Sequence, residues 1–286
     1  MKKIMLAFFI SSSLIMAMDE SQLKQEISDV EAQIKSLKSN LKNLKSDLAK
    51  KVAKRKDSEL MTRTEFGYIT TSGNTNTETF NIDAKIKKNW GKHIVELSLL
   101  MQYGTENNIE NKNKFLSELE YDYDITDRLS FGYLVGYKDD RFSGYEYQLY
   151  TGPGVKYKAI KTDKQNLSLE GNMLYSIDSI EDTFKDVAGD VVSQNDGVTN
   201  SYGSYRLKTK YSLQIFDNLK LNQELSYRSE FSDTSNYFIY SKTALSSKIS
   251  DIFSAGISQQ IDYANQVADG KTGTDRTFTL NLIADY

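Results

Sequence analysis

From Leu60 onward the chain alternates between apolar and polar side chains, segment after segment. Residues 277–286 show it most clearly. Phe278, Leu280, Leu282, Ala284 and Tyr286 fall on one face, Thr277, Thr279, Asn281 and Asp285 on the other, and Ile283 is the exception. Successive side chains of a strand point to opposite faces, so period two marks a strand whose two sides meet unlike surroundings.

The same reading applies upstream. Apolar faces carry Thr64, Phe66, Tyr68 and Thr70, then Phe80, Ile82, Ala84 and Ile86, then Val95, Leu97, Leu99, Met101 and Tyr103. The fourth segment sets Phe115, Leu119, Tyr121, Tyr123 and Ile125 against Lys114, Glu118, Glu120, Asp122 and Asp124. Later ones set Tyr205, Leu207, Tyr211, Leu213 and Ile215 against Arg206, Lys208 and Lys210, and Leu219, Leu221, Leu225 and Tyr227 against Lys220, Asn222, Glu224 and Arg228. Segment six, at 145–160, contains Gly152, Pro153 and Gly154, which suggest a bulge or bend. Segment ten, at 235–250, is the least regular. The total is about twelve strands, an even number.

These runs are about 11–16 residues long, against about 5–6 for strands of soluble sheets and about 9–11 for tilted strands crossing a bilayer. A water-soluble barrel turns its greasy face inward and a membrane barrel turns it outward. Aromatic residues recur near both ends of the apolar stripes, and the polar face is too heavily charged for an ordinary solvated exterior, so outward is expected. Short links (Gly91; Asp127; Lys161, Thr162 and Asp163; Asp217 and Asn218; Ser250 and Asp251) alternate with longer ones at 105–113, 139–144, 178–200 and 265–274. That asymmetry separates periplasmic turns from extracellular loops, with 72–75 the one short exception. An all-β transmembrane antiparallel barrel over residues 60–286 follows, closed by pairing of its last strand with its first.

Composition agrees. Among 286 residues there are 19 tyrosines and one proline, and the mean hydropathy is −0.53, as suits strand-forming aromatics around a wet interior. A formal charge of −3 argues against nucleic acid as a partner, and the lack of cysteine removes thiolate chemistry, disulfides and a lipoprotein anchor. Residues 1–17 read as a signal peptide, with Lys2 and Lys3 ahead of a short apolar run and Ala17 at the cleavage site.

Residues 18–58 follow a different period. Leu23, Ile27, Val30, Ile34, Leu37, Leu41, Leu44 and Leu48 are spaced alternately by four and three, a heptad seam between wet flanks. The narrow seam favours a periplasmic coiled-coil helix of roughly 50 Å over a lone surface helix, and it leaves dimer and trimer open. The basic run at 50–56 suits either a solvated helix end or contact with headgroups or cell wall.

Ending on the aromatic Tyr286, the last strand resembles the closing strand of Gram-negative outer-membrane barrels. Gly67 and Tyr68 leading into Thr71, Ser72, Gly73, Asn74 and Thr75 resemble the opening strand and turn of the salt-stress-induced outer-membrane protein family, known largely as a domain of unknown function. Gly136 and Tyr137 with Asp140 to Tyr145, then Gly152, Pro153 and Gly154, resemble its central hairpin. The resemblance spans roughly residues 60–286, leaves out the heptad helix, and implies an outer-membrane barrel without naming a substrate. Outer-membrane lipid, the barrel-assembly machinery and, through the helix, other copies of the chain are the expected partners.

An acidic ladder (Glu118, Glu120, Asp122, Asp124) and basic ladders (Lys156, Lys158; Arg206, Lys208, Lys210) face the inferred lumen. Set on different walls they would impose a transverse field on a narrow passive pore for small polar solutes. Paired with one another they would plug it, leaving a structural anchor that displays the helix. Catalysis is not expected: His93, the only histidine, faces lipid near a short turn by parity. No cofactor or metal site is expected, since Asp178, Glu181, Asp182, Asp186, Asp190 and Asp196 lack calcium-loop spacing.

Overall fold

The computed structural model describes residues 20–56, 60–71, 76–180, 183–187, 190–195, 198–267 and 272–286. Residues 1–17, expected from the sequence to be a signal peptide, and the link 72–75 lie outside them. The chain forms two units, residues 1–56 and 57–286. In the first, helix α1 runs Glu20–Lys56 and covers the heptad segment. Its seam residues Ile27, Val30, Ile34, Leu37, Leu41, Leu44 and Leu48 are all exposed, and the side chain of Leu23 is outside the description.

The second unit consists of strands β1 (Leu60–Thr71), β2 (Thr77–Trp90), β3 (His93–Glu106), β4 (Ile109–Asp124), β5 (Leu129–Asp140), β6 (Tyr145–Lys161), β7 (Gln165–Ile180), β8 (Thr183–Val187), β9 (Asp190–Asn195), β10 (Thr199–Phe216), β11 (Leu219–Glu230), β12 (Tyr237–Lys248), β13 (Phe253–Ala264) and β14 (Thr274–Asp285). All but β8 and β9 join into one closed twelve-stranded antiparallel barrel, each strand paired with its sequence neighbour and β7 with β10. Closure is direct. Arg63 pairs with Asp285 and Phe66 with Leu282, Thr62 and Tyr286 exchange backbone hydrogen bonds of 2.6 and 2.8 Å, and Arg63 Nη1 reaches both Asp285 oxygens at 3.0 Å. No edge is left for lipid to meet.

The period-two reading places the faces correctly. Phe66, Tyr68, Phe80, Met101, Leu119, Phe131, Leu207, Phe278, Leu280 and Leu282 are exposed on the outside, while Asn81, Asp83, Glu118, Glu120, Arg206, Lys208 and Asn281 are buried within. Ile283, out of place in the sequence pattern, points inward and is buried. Aromatic contacts mark both rims. At the short-turn end His93 stacks on Trp90, touches Tyr123 edge-on and shares a 2.7 Å hydrogen bond with the Tyr121 hydroxyl. Towards the long-loop end Phe115, Tyr137 and Tyr147 form one chain of rings, and Phe231, Tyr205, Tyr227, Tyr237 and Tyr263 another. Amphipathic rings at two levels suit the two bilayer interfaces.

Three local expectations need correction. The link 105–113 is not a loop: β3 and β4 continue to a two-residue turn at Asn107 and Asn108, whose φ values of 50° and 64° are the left-handed pair that a tight hairpin requires. Gly152, Pro153 and Gly154 cause no register shift: pairing with β5 runs unbroken through them, the ladder to β7 skips Gly152 and Pro153, and the register shifts of β6 against β7 fall between Tyr145 and Tyr147 and between Lys158 and Ile160. Gly152 is needed for close approach, since a Cβ there would lie 2.0 Å from the Met173 carbonyl oxygen. The segment 178–200 is not one loop: β7 extends to Ile180, β8 and β9 pair as a hairpin, and Asp178 sits buried on the inner face of the barrel.

Leu207 tests the outward face. It lies at the middle of β10 and is exposed. Leu207→Arg should lower stability in lipid vesicles by ~2–4 kcal/mol, read by urea titration, because a cation at the bilayer midplane costs that much. On a water-soluble barrel an exposed leucine would accept arginine with almost no change.

Candidate functional site

With hydrocarbon side chains turned out, inward charges need partners, and among the described residues the barrel supplies many of them from other strands, several from across the lumen. Glu118 on β4 accepts from Arg206 Nη1 at 2.7 Å and Lys208 Nζ at 3.1 Å, both on β10, four places away around the ring. Lys208 also reaches Glu120 at 3.4 Å and Glu224 at 3.2 Å. Arg206 bonds Glu170 at 2.6 Å. Further chords join Lys242 to Asp83 at 2.6 Å and to Glu65 at 3.0 Å, Lys114 to Asp262 at 2.8 Å, Lys210 to Glu96 at 3.3 Å and Lys85 to Glu224 at 3.8 Å.

The acidic ladder and the β10 basic ladder therefore meet directly. Arg206 is 3% exposed, Lys208 5% and Glu120 5%, so no water column separates them at this level. Lys156 and Lys158 do not oppose the acidic ladder. Their strand β6 lies two places from β4, and they pair along the same wall, Lys156 with Asp122 at 2.5 Å and Glu120 at 3.0 Å, Lys158 with Asp124 at 3.2 Å. Lys114, Glu224 and Arg228 also lie on the polar faces read from the sequence, and Asp83 and Lys85 share the inward parity of their strand. Glu65, Glu96, Glu170 and Lys242 are further members, and only their inward parity could have signalled them.

Apolar groups add to this belt of ion pairs. Leu134, Tyr150 and Leu174 cluster inside the barrel. The Tyr150 hydroxyl donates to Glu118 at 2.6 Å, and its ring occupies the place where a Cβ on Gly136 would sit, 2.1 Å from its nearest ring carbon. Two cavities flank the belt. One of 470 Å³ at the short-turn end is lined by Arg63, Lys158, Lys220 and Lys242 among others. One of 180 Å³ towards the long loops is lined by Lys114, Tyr150, Arg228 and Phe238 among others. Lys85, Lys210 and Glu224 line both.

Removing one member of a buried ion pair strands the others. Glu118→Ala should cost ~3–5 kcal/mol in denaturant unfolding, because Arg206 and Lys208 each lose an acceptor. Glu110→Ala, which breaks a 3.3 Å pair with the exposed Arg141, should cost under ~1 kcal/mol.

Solved structures similar to the chain include the NanC porin, at 13% identity and a TM-score of 0.45, covering 80% of this chain and 100% of that one. The translocator domain of the autotransporter NalP from Neisseria meningitidis matches at 10% identity and a TM-score of 0.44, covering 88% and 97%. An outer membrane channel from Pseudomonas putida F1 matches at 10% identity and a TM-score of 0.44, covering 79% and 94%. No functionally curated protein matches the chain in sequence. A family model described as a protein of unknown function, DUF481, matches residues 64–286, and the chain belongs to that family.

Proposed function

We propose that this barrel is a narrow, passive outer-membrane channel for small polar solutes, constricted at mid-height by its own ion pairs. The observation that carries the reading is the pair of cavities on either side of the belt, which share Lys85, Lys210 and Glu224 as lining. Those three residues sit where the cavities approach each other, and the Lys85–Glu224 contact is long for an ion pair at 3.8 Å. A solute passes there when the pair opens. The short turns and residue 60 face the periplasm and the long links face outward, with the barrel inserted by the assembly machinery. The motifs at 67–75 and 136–154 support placing the chain among salt-stress-induced outer-membrane proteins.

In planar bilayers the protein should conduct weakly. Lys85→Ala combined with Glu224→Ala should raise single-channel conductance severalfold, and neutralising Arg206, Lys208 and Lys210 to glutamine should alter ion selectivity. A barrel silent in all these forms would be a sealed anchor instead.

The exposed seam of α1 favours a second role beside this one: a periplasmic coiled coil through which copies of the chain associate. Deleting residues 19–55 should then reduce the oligomer to monomer in light scattering while the barrel still folds. An unchanged oligomeric state would remove this role and leave the channel untouched.

A further inference from the structure

Arg228 is a buried cation whose charge the fold leaves incompletely met. It lines the long-loop cavity and is 8% exposed. Tyr150 and Phe238 flank its guanidinium, with ring centroids 4.8 and 4.5 Å from Cζ. Attraction to the two ring faces holds the guanidinium in place but satisfies none of its N–H donors with an in-plane acceptor. Nη1 has no hydrogen-bond partner. The nearby carboxylate, Asp178, is 3.9 Å from Nη2 and is already taken, accepting from Gln148 Nε2 at 3.0 Å and from the Tyr202 hydroxyl.

Of the other cations at this level, Lys114 Nζ is likewise without a hydrogen-bond partner but has a carboxylate, Asp262, at 2.8 Å, and Lys138 has Asp140 at 3.7 Å. The cavity wall carries Phe142, Tyr145, Phe238 and Tyr240 among charged side chains of both signs, and Phe238 lies directly against Arg228. Leaving a buried guanidinium donor unmet is costly, and a carboxylate is the planar acceptor that its fork fits with two parallel bonds.

We propose that the long-loop cavity is a binding site for a small organic carboxylate, its charged end on Arg228 and its apolar body against Phe238 and Tyr240. The volume fits. A cavity of about 150 Å³ holds a benzene ring, and this one measures 180 Å³. The proposal deepens the channel reading by naming a solute class for it, and it rests on that reading for its purpose.

The test uses the purified full-length protein in a nonionic detergent, with benzoate as probe and benzamide as its neutral counterpart. Calorimetric titration should show saturable benzoate binding and none for benzamide. Arg228→Gln should weaken benzoate by at least about tenfold, the loss of a charge-assisted bidentate contact. Arg228→Lys, which keeps the charge and loses the fork, should fall between. Should Arg228→Gln not fold, Phe238→Leu provides the second variant, with weaker benzoate binding expected. No saturable binding to the native protein, equal binding of benzamide, or benzoate affinity unmoved by Arg228→Gln or Phe238→Leu overturns the site. Bilayer recordings on the same preparation separate the two readings. Conductance without benzoate binding removes the site and keeps the channel, and binding without conductance removes the channel and keeps the site.

Discussion

Hydrocarbon offers no hydrogen bonds, and that one constraint organises the barrel. Every backbone N–H and C=O at membrane depth must find its partner within the protein, so a strand without a neighbour cannot persist there. The pairing of β1 with β14 meets the requirement, and it also fixes which way each side chain faces. Side chains alternate strictly, so once Leu280 and Leu282 face lipid, Thr279 and Asn281 must face the lumen. A one-residue slip at the seam would reverse both faces together.

Turning the charges inward creates a second problem. Twelve strands enclose a space narrow enough for long side chains to meet across it, and ions shielded from water demand partners. The fold answers with chords between strands four or five places apart, such as Glu118 with Lys208 and Glu224 with Lys85. Room for these chords comes from inward glycines. Gly132 gives space to the Asp122 carboxylate, Gly136 to the Tyr150 ring and Gly154 to the Asn172 amide. The interior is packed by matching large groups with absent ones, as a protein core is.

Period two made the barrel legible, because alternation is a local property that survives in a single segment. Phe115 to Asp124 shows which residues face in without reference to any other strand. Pairing inside the lumen is a different kind of fact. Whether Lys156 opposes Glu120 or neighbours it depends on the position of β6 in the closed ring, and no single strand encodes that. The basic ladders of β6 and β10 read alike in sequence, yet one lies two strands from the acids and the other four. Leu134 and Leu174 are leucines at polar-parity positions, and their cluster with Tyr150 exists only once β5, β6 and β7 are paired. The turn at Asn107 and Asn108 was hidden in a polar run, 105–113, that carries no apolar alternation to reveal its strands.

The make-up of the belt bears on how such a packed interior could pass anything. Lys208 has three carboxylates within reach, Glu118 at 3.1 Å, Glu224 at 3.2 Å and Glu120 at 3.4 Å, and Lys156 has Asp122, Glu120 and Glu170 at 2.5, 3.0 and 3.6 Å. A lysine is a point charge on a flexible stem, so it can leave one acceptor while still held by another. Exchange within a shared set of acceptors avoids the full cost of stranding a buried charge. Arg206 behaves differently, because its rigid fork is engaged by Glu118 and Glu170 at once and holds those two walls together. The belt thus combines a fixed strut, Arg206, with a lysine able to exchange acceptors, Lys208, whose acceptor Glu224 is shared with Lys85 on the side where the two cavities approach each other.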